Sequence, residues 1–324
     1  MAQYYDPDRR AREAMERRAR RMSSAPRPRS PWLTLFFALI LVGGIAASGA
    51  VATNAFGAGT KFERLVRKVE LAINPPPDRQ TVATVEITPE PSIDPTPTPA
   101  VSTAPGTTPA PATPAPVRKP VNVRIPGDPR AVFAHEIRVD WCAPAGTQMV
   151  LAMHGKGNNS EALQKQIASR VGEWESYSDS HNGEWGPAAI AEALDAYGVP
   201  GYQIHAHATR EAALRDAAIA ISKTGAPVVL LAWRGAHTWI MDGYRANADP
   251  RIFRDATVTG AYILDPWYPD TSSIWGRSDP PGTFQDTSEM IRNFLPWKRP
   301  EGKYPERDGK FIIIVPTVPL SPIA

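Results

Sequence analysis

The chain has 324 residues, 42% hydrophobic and 21% charged, an ordinary globular composition with room for about two domains. Its formal charge of +3 is local: residues 1–30 carry nine Arg against Asp6, Asp8, Glu13 and Glu16, leaving 27 basic and 29 acidic residues elsewhere, which argues against a nucleic-acid-binding body. A single cysteine, Cys142, excludes an intrachain disulfide framework and any multi-cysteine metal centre.

Pro31 to Thr60 holds no charged residue, and the run from Trp32 to Ala55 exceeds the roughly 20 residues that a helix needs to cross a bilayer. Arginines precede it and mixed charges follow it. The positive-inside rule therefore makes residues 1–30 a cytoplasmic Arg-rich tail and places everything after the span outside. Ala50-Val51-Ala52 also fits a signal-peptide cleavage site, but the polar lead-in is long for one. The expectation is an uncleaved transmembrane signal-anchor helix over 31–55 and a single-pass protein of the cell membrane. Phe62, Leu65, Val66, Val69 and Ile73 then recur at helical spacing, predicting a juxtamembrane amphipathic helix over 56–74.

Fourteen of the 35 prolines fall between Pro75 and Pro120. Proline fixes φ and removes a donor, so residues 75–121 read as an extended Pro/Thr-rich linker. At about 3.1 Å per residue it reaches on the order of 140 Å, enough to lift a domain into or across a cell wall. Residues 122–324 hold every tryptophan but Trp32 and are long enough to bury a core.

Within that extracytoplasmic domain, Cys142–His154 predicts a helix, with Pro144 tolerated in its first turn. A second helix runs from Ser160, with Leu163, Ile167 and Val171 spaced by four, and Gly186-Pro187 opens a third towards Gly198. Thr209 caps a fourth that ends at Gly225. The texture then changes to short β-rich runs at 227–233, 237–241, 261–264 and 310–315. The first two are too close in sequence for a crossover helix, so they pair antiparallel. Helices followed by an antiparallel sheet make an α+β architecture.

A thiol at the start of a helix faces unsatisfied N–H groups and the positive end of the dipole, both of which favour the thiolate. Nucleophilic catalysis also needs a base and a group that orients it. His237 opens one strand run, and Asp265 closes the next. If those strands pair, both side chains come near one edge, and the helix that begins at Cys142 can pack across them. Taken singly, each has a plainer reading: a small buried thiol, a core histidine, a strand-ending Asp-Pro turn.

Taken together, Asp140-Trp-Cys-Ala-Pro-Ala145, Gly186-Pro187, Gly225-Ala-Pro-Val-Val229, Ala236-His-Thr-Trp-Ile-Met-Asp-Gly-Tyr244 and Ile263-Leu-Asp-Pro-Trp-Tyr-Pro269 resemble the double-glycine-leader, or bacteriocin-processing, peptidases. The resemblance covers roughly residues 130–316, in a stand-alone form without a transporter. It implies a papain-like cysteine peptidase fold, a peptide or protein substrate and no cofactor. It also implies Cys142 as nucleophile, His237 as base and Asp265 as the residue that orients the imidazole. The family usually has Gln six residues before the Cys, donating to the oxyanion; here that position is Glu136. An ionised carboxylate there reverses a term typically worth about 3–4 kcal/mol. Glu136 serves only if burial keeps it protonated, unless His135 or a backbone N–H takes the role. Ala143 and Ala236 also replace more usual glycines.

Two other functions compete with a membrane-tethered peptidase. One is a peptidoglycan amidase or endopeptidase, suggested by the wall-length spacer but lacking the Asp-Cys-Ser-Gly usual in such enzymes. The other is a pseudoenzyme, a stalked peptide- or wall-binding module, for which Glu136 is the best argument. His205 and His207 share one strand face as a metal pair does, but no third ligand is evident in the sequence, so no metal is expected. Trp174, Trp185, Trp267, Trp275 and Trp297 are candidates to line a substrate groove.

Overall fold

The computed structural model describes residues 78–79, 81–88, 116–176, 178–179, 185–298 and 302–320, with scattered positions between 15 and 74. The expected anchor over 31–55 lies outside the described residues, apart from five positions between Gly44 and Thr53. No described helix is long and apolar enough to cross a membrane. The chain divides into two compact units, Met1–Leu65 and Val66–Ala324. Of the predicted amphipathic helix, Phe62, Leu65, Val66, Val69 and Ile73 are helical and exposed.

The second unit is built on an eight-stranded sheet, arranged β1-β3-β10-β4-β5-β6-β9 with β2 also pairing β5. The strands are β1 (Thr84–Ile87), β2 (Val121–Arg124), β3 (Tyr202–His207), β4 (Val228–Leu231), β5 (His237–Ala246), β6 (Val258–Leu264), β9 (Thr283–Asp286) and β10 (Phe311–Pro316). A separate hairpin joins β7 (Thr271–Ser272) to β8 (Gly276–Arg277). Every pair in the large sheet is antiparallel except β1 with β3. β4 and β10 are buried along their whole length, which is why they read as unbroken apolar runs.

The helices are α1 (Pro129–Val132), α2 (Cys142–Met153), α3 (Glu161–Ser169), α4 (Val171–Trp174), α5 (Pro187–Ala196), α6 (Arg210–Thr224) and α7 (Thr287–Asn293). The predicted caps are present. Ser160 accepts from Leu163 N, Thr209 accepts from Ala212 N, and Gly225 closes α6 at φ 67°. Ten of the twelve α2 residues are buried, so α2 is a core helix rather than an amphipathic one.

Strand alternation assigns the helices to the two faces of the sheet. On β3, Tyr202 meets His154 at the end of α2, whereas His205 and His207 meet Asp216 of α6. α2 and α6 therefore cover opposite faces. Together these elements form the expected α+β, papain-like arrangement of N-terminal helices on an antiparallel sheet.

The span 75–121, expected as an unpaired linker, contains β1. Residues 78–88 carry no proline and include Thr81, Val82, Thr84, Val85, Ile87 and Thr88, β-branched residues suited to a strand. The segment is docked by side chains as well. Arg79 N donates to Ser176 Oγ at 3.0 Å, and Arg307 Nε donates to Thr84 Oγ1 at 3.1 Å. Arg307 also forms a buried pair with Asp179 at 2.8 Å, and Asp179 in turn accepts from the N–H groups of Ala188 and Ala189 at the start of α5.

Candidate active site

Gly146 fixes how closely α2 approaches β5. A Cβ on Gly146 would stand 2.6 Å from Thr238 Cγ2, so only glycine lets the first turn of α2 lie against the start of the strand. That approach carries Cys142 to His237. A Glu136 carboxylate oxygen, Cys142 Sγ and a His237 ring nitrogen all lie within 4.8 Å of one another. The half-buried Cys142 faces solvent more than its two buried neighbours.

Antiparallel pairing of β5 with β6 brings Asp265 to the same place. His237 Nε2 donates to Asp265 Oδ1 at 2.7 Å, and the same oxygen accepts from Trp267 N at 2.9 Å. Burial alone would push the imidazole down. The Asp265 charge and hydrogen bond, helped by Cys142, outweigh it and raise His237 to about 10. The ring is thus held as a cation between a carboxylate and a thiol.

Glu136 enters from the segment before α2. Its N–H donates to Pro266 O at 3.0 Å, which links it to the loop that follows Asp265. It is 3% exposed, and neither carboxylate oxygen has a hydrogen-bond partner among the described residues. Desolvation is the largest influence on this group. Attraction to His237 opposes it, Asp265, Asp140 and Asp270 reinforce it, and the carboxyl is raised to about 7. Below neutrality Glu136 is therefore an acid with a proton to donate. His135 is occupied elsewhere, with Nδ1 near Pro266 O and Tyr268 O at 3.1 and 2.9 Å.

Two buried glutamines, given no role in the sequence reading, pin this segment. Gln164 Oε1 accepts from Ile137 N at 2.9 Å, and its Nε2 donates to His135 O at 2.9 Å and to Gln148 Oε1 at 3.0 Å. Gln148 Nε2 donates to Asn158 O and Ser160 O. The chain bearing Glu136 is thereby tied to both α2 and α3. The sequence signal was available: Gln164 stands one turn before Ile167 on the apolar face of α3.

The tryptophans divide. The turn between β4 and β5 holds Trp233 at φ 52° and Arg234 at φ 64°, left-handed conformations that cost non-glycine residues roughly 1–3 kcal/mol each. This strain stacks Trp233 on His237, with ring centroids 3.9 Å apart. Trp275 stacks on Trp233 at 5.7 Å and Trp267 meets it edge-on at 6.2 Å. Of the five candidate groove tryptophans, only Trp267 and Trp275 reach this wall, and Trp233 was missed. Trp174 and Trp185 pack on each other, while Trp297 is buried against Gly235 and Tyr304. His205 and His207 lie on the opposite face of the sheet, where Asp216 of α6 stands between them.

None of the curated proteins matches the chain. The solved structure of a double glycine motif protease from an AMS/PCAT transporter, in complex with the leader peptide, aligns with 61% of this chain and 99% of its own. The identity is 16% and the TM-score 0.32. The model of the Peptidase_C39 like family matches residues 126–291, more than half of the chain and all of the cluster just described. The chain belongs to the Peptidase_C39 like family, and is a cysteine-type peptidase, a hydrolase, of papain-like fold.

Proposed function

We propose that the chain is a membrane-tethered peptidase acting outside the cell membrane, with Cys142, His237 and Asp265 as its catalytic triad. The observation that carries this reading is the imidazole of His237, bonded to Asp265 on one nitrogen and within reach of the Cys142 thiol. The Cys142 thiolate attacks the scissile carbonyl, and the electron pair moves to the carbonyl oxygen. As the C–N bond breaks, the His237 imidazolium gives its proton to the leaving amine, and a thioester remains on Cys142. Water then attacks the thioester, His237 takes the water's proton, and the acid product leaves with the thiolate restored. Asp265 keeps the ring oriented throughout and stabilises its charged form before amine protonation and after water attack. Protonated Glu136 donates to the oxyanion, the role that Gln fills in the resembling peptidases. Substrate side chains lie along the Trp233, Trp267 and Trp275 wall, which suits an apolar residue beside the scissile bond.

The charge-free stretch from Pro31 to Thr60 behind an Arg-rich tail supports the anchor and its orientation. The lone cysteine tests both parts of the reading. In intact cells a membrane-impermeant maleimide labels Cys142 if the domain is outside; labelling only after permeabilisation reverses the orientation. On the purified chain, iodoacetamide alkylates Cys142 in mildly acidic solution and His237→Ala abolishes that reactivity. A thiol indifferent to His237 would leave the chain a peptide-binding module.

A further inference from the structure

We propose that His205, His207 and Asp216 form a binding site for one divalent transition-metal ion of the zinc type, clamped between β3 and α6. His205 Nδ1 lies 2.6 Å and His207 Nε2 lies 3.0 Å from the same oxygen, Asp216 Oδ2, and all three atoms fall within 4.8 Å of one another. Around zinc, with bonds of about 2.0–2.2 Å, neighbouring donor atoms stand roughly 3.3 Å apart. Two of the three edges are therefore already that short or shorter, and only the edge between the histidines has room to contract.

Hydrogen bonding alone is a poor account of the cluster. A carboxylate that serves two imidazoles structurally has two oxygens to offer, yet both rings converge on one. The Nδ1 of His207 is buried without a hydrogen-bond partner among the described residues. Nothing on that side fixes the tautomer, and the ring is free to turn a lone pair from Nε2 towards the common point. Two imidazole nitrogens and one carboxylate oxygen suit Zn2+, Co2+ or Ni2+ better than Ca2+ or Mg2+, which prefer all-oxygen sites.

Solvent reaches the cluster through Asp216, 26% exposed, and His205, 14% exposed, which leaves an entry path and room for water as the remaining ligand. Strand alternation puts the site on the α6 face, away from Cys142. A bound ion would tie the β1–β3 edge of the sheet to α6 and stabilise the fold as its concentration exceeds the dissociation constant.

The experiment is a Co2+ titration of the full-length chain in detergent, followed by visible absorption, with Zn2+ competition and a thermal melt in parallel. One equivalent binds, its spectrum lacks a thiolate-to-cobalt charge-transfer band, and Zn2+ displaces it and raises the melting temperature. Cys142→Ser leaves all of this unchanged. His205→Gln and Asp216→Asn each weaken binding by more than about tenfold, a loss that even outer-shell partners produce. Absence of stoichiometric binding, a thiolate band that vanishes in Cys142→Ser, or binding indifferent to His205→Gln would overturn the site. Should the variants not fold, diethyl pyrocarbonate labelling of the wild-type chain decides. Zn2+ protects the partly exposed His205 from modification if the site exists, and modification of His205 unaffected by Zn2+ refutes it.

Discussion

The α2 and α6 faces of the sheet each carry a histidine bonded to an aspartate, at 2.7 Å for His237–Asp265 and 2.6 Å for His205–Asp216. The pairs differ in what else is nearby. At His237 a thiol lies within 4.8 Å of a ring nitrogen, and the pair is almost wholly enclosed. At His205 a second imidazole shares the same carboxylate oxygen, and the cluster is open enough for an ion to enter. A His–Asp pair thus has no fixed meaning: on the readings proposed above, a neighbouring nucleophile makes one pair part of a catalytic triad, and a neighbouring imidazole makes the other part of a ligand set.

Separating the two clusters by mutation gives the largest expected effect. Cys142→Ala and His237→Ala each lower peptide hydrolysis by about 10³-fold or more, since members of a triad act as a unit, and leave Co2+ uptake intact. His205→Gln does the reverse, with peptidase rate near wild type. Loss of both functions in either variant would mean that the two faces are coupled.

Glu136 sharpens the comparison next, because it is a buried carboxylate with no hydrogen bond among the described residues. With Glu136 raised to about 7, its anion replaces the donor as pH rises, so hydrolysis falls about tenfold per unit above that point. Glu136→Gln abolishes the alkaline fall and changes little at pH 5, as a rate–pH profile would show. An inactive Glu136→Gln in an already inactive chain would favour the binding-module reading.

The same group predicts a stability effect of opposite sign to that of a paired carboxylate. Its folded value is raised above the ordinary 4.5, so the folded state holds the proton that the unfolded chain releases. Stability is full below about 4.5 and is lost as pH rises through about 7, by up to about 3 kcal/mol. Urea denaturation at acid and alkaline pH should find Glu136→Gln more stable than wild type only at the alkaline end. A smaller effect, roughly 1–3 kcal/mol, is expected of Gly146→Ala, which pushes α2 off Thr238 and slows hydrolysis without touching the α6 face.

Much of this was legible before the fold was known, for identifiable reasons. Three of the four long helices announce themselves through Ser160, Pro187 and the Thr209–Gly225 pair, residues whose local chemistry sets an end wherever the helix later packs. Cys142, His237 and Asp265 sit at ends of elements, where spacing is informative. Asp216 was invisible because it lies mid-helix in α6 and meets its histidines only through tertiary packing. Trp233 was hidden by its left-handed backbone, which sequence gives no reason to expect of tryptophan. β1 was hidden by the prolines on either side, whose density masked eleven residues without any.

The position of β1 changes what a proline-rich run can do mechanically. β1 and β2 belong to one sheet, so residues 88–120 begin and end on the same body. If the anchor is as proposed, pulling on the domain loads the contacts of Asp78, Arg79 and Thr84 before any load reaches residues beyond β1. The reach from the membrane is then set by residues 56–77, at most on the order of 70 Å when fully extended, about half what the proline run promised. A protease cut among residues 90–115 should leave the peptidase tethered, whereas a cut just before Asp78 should set it free.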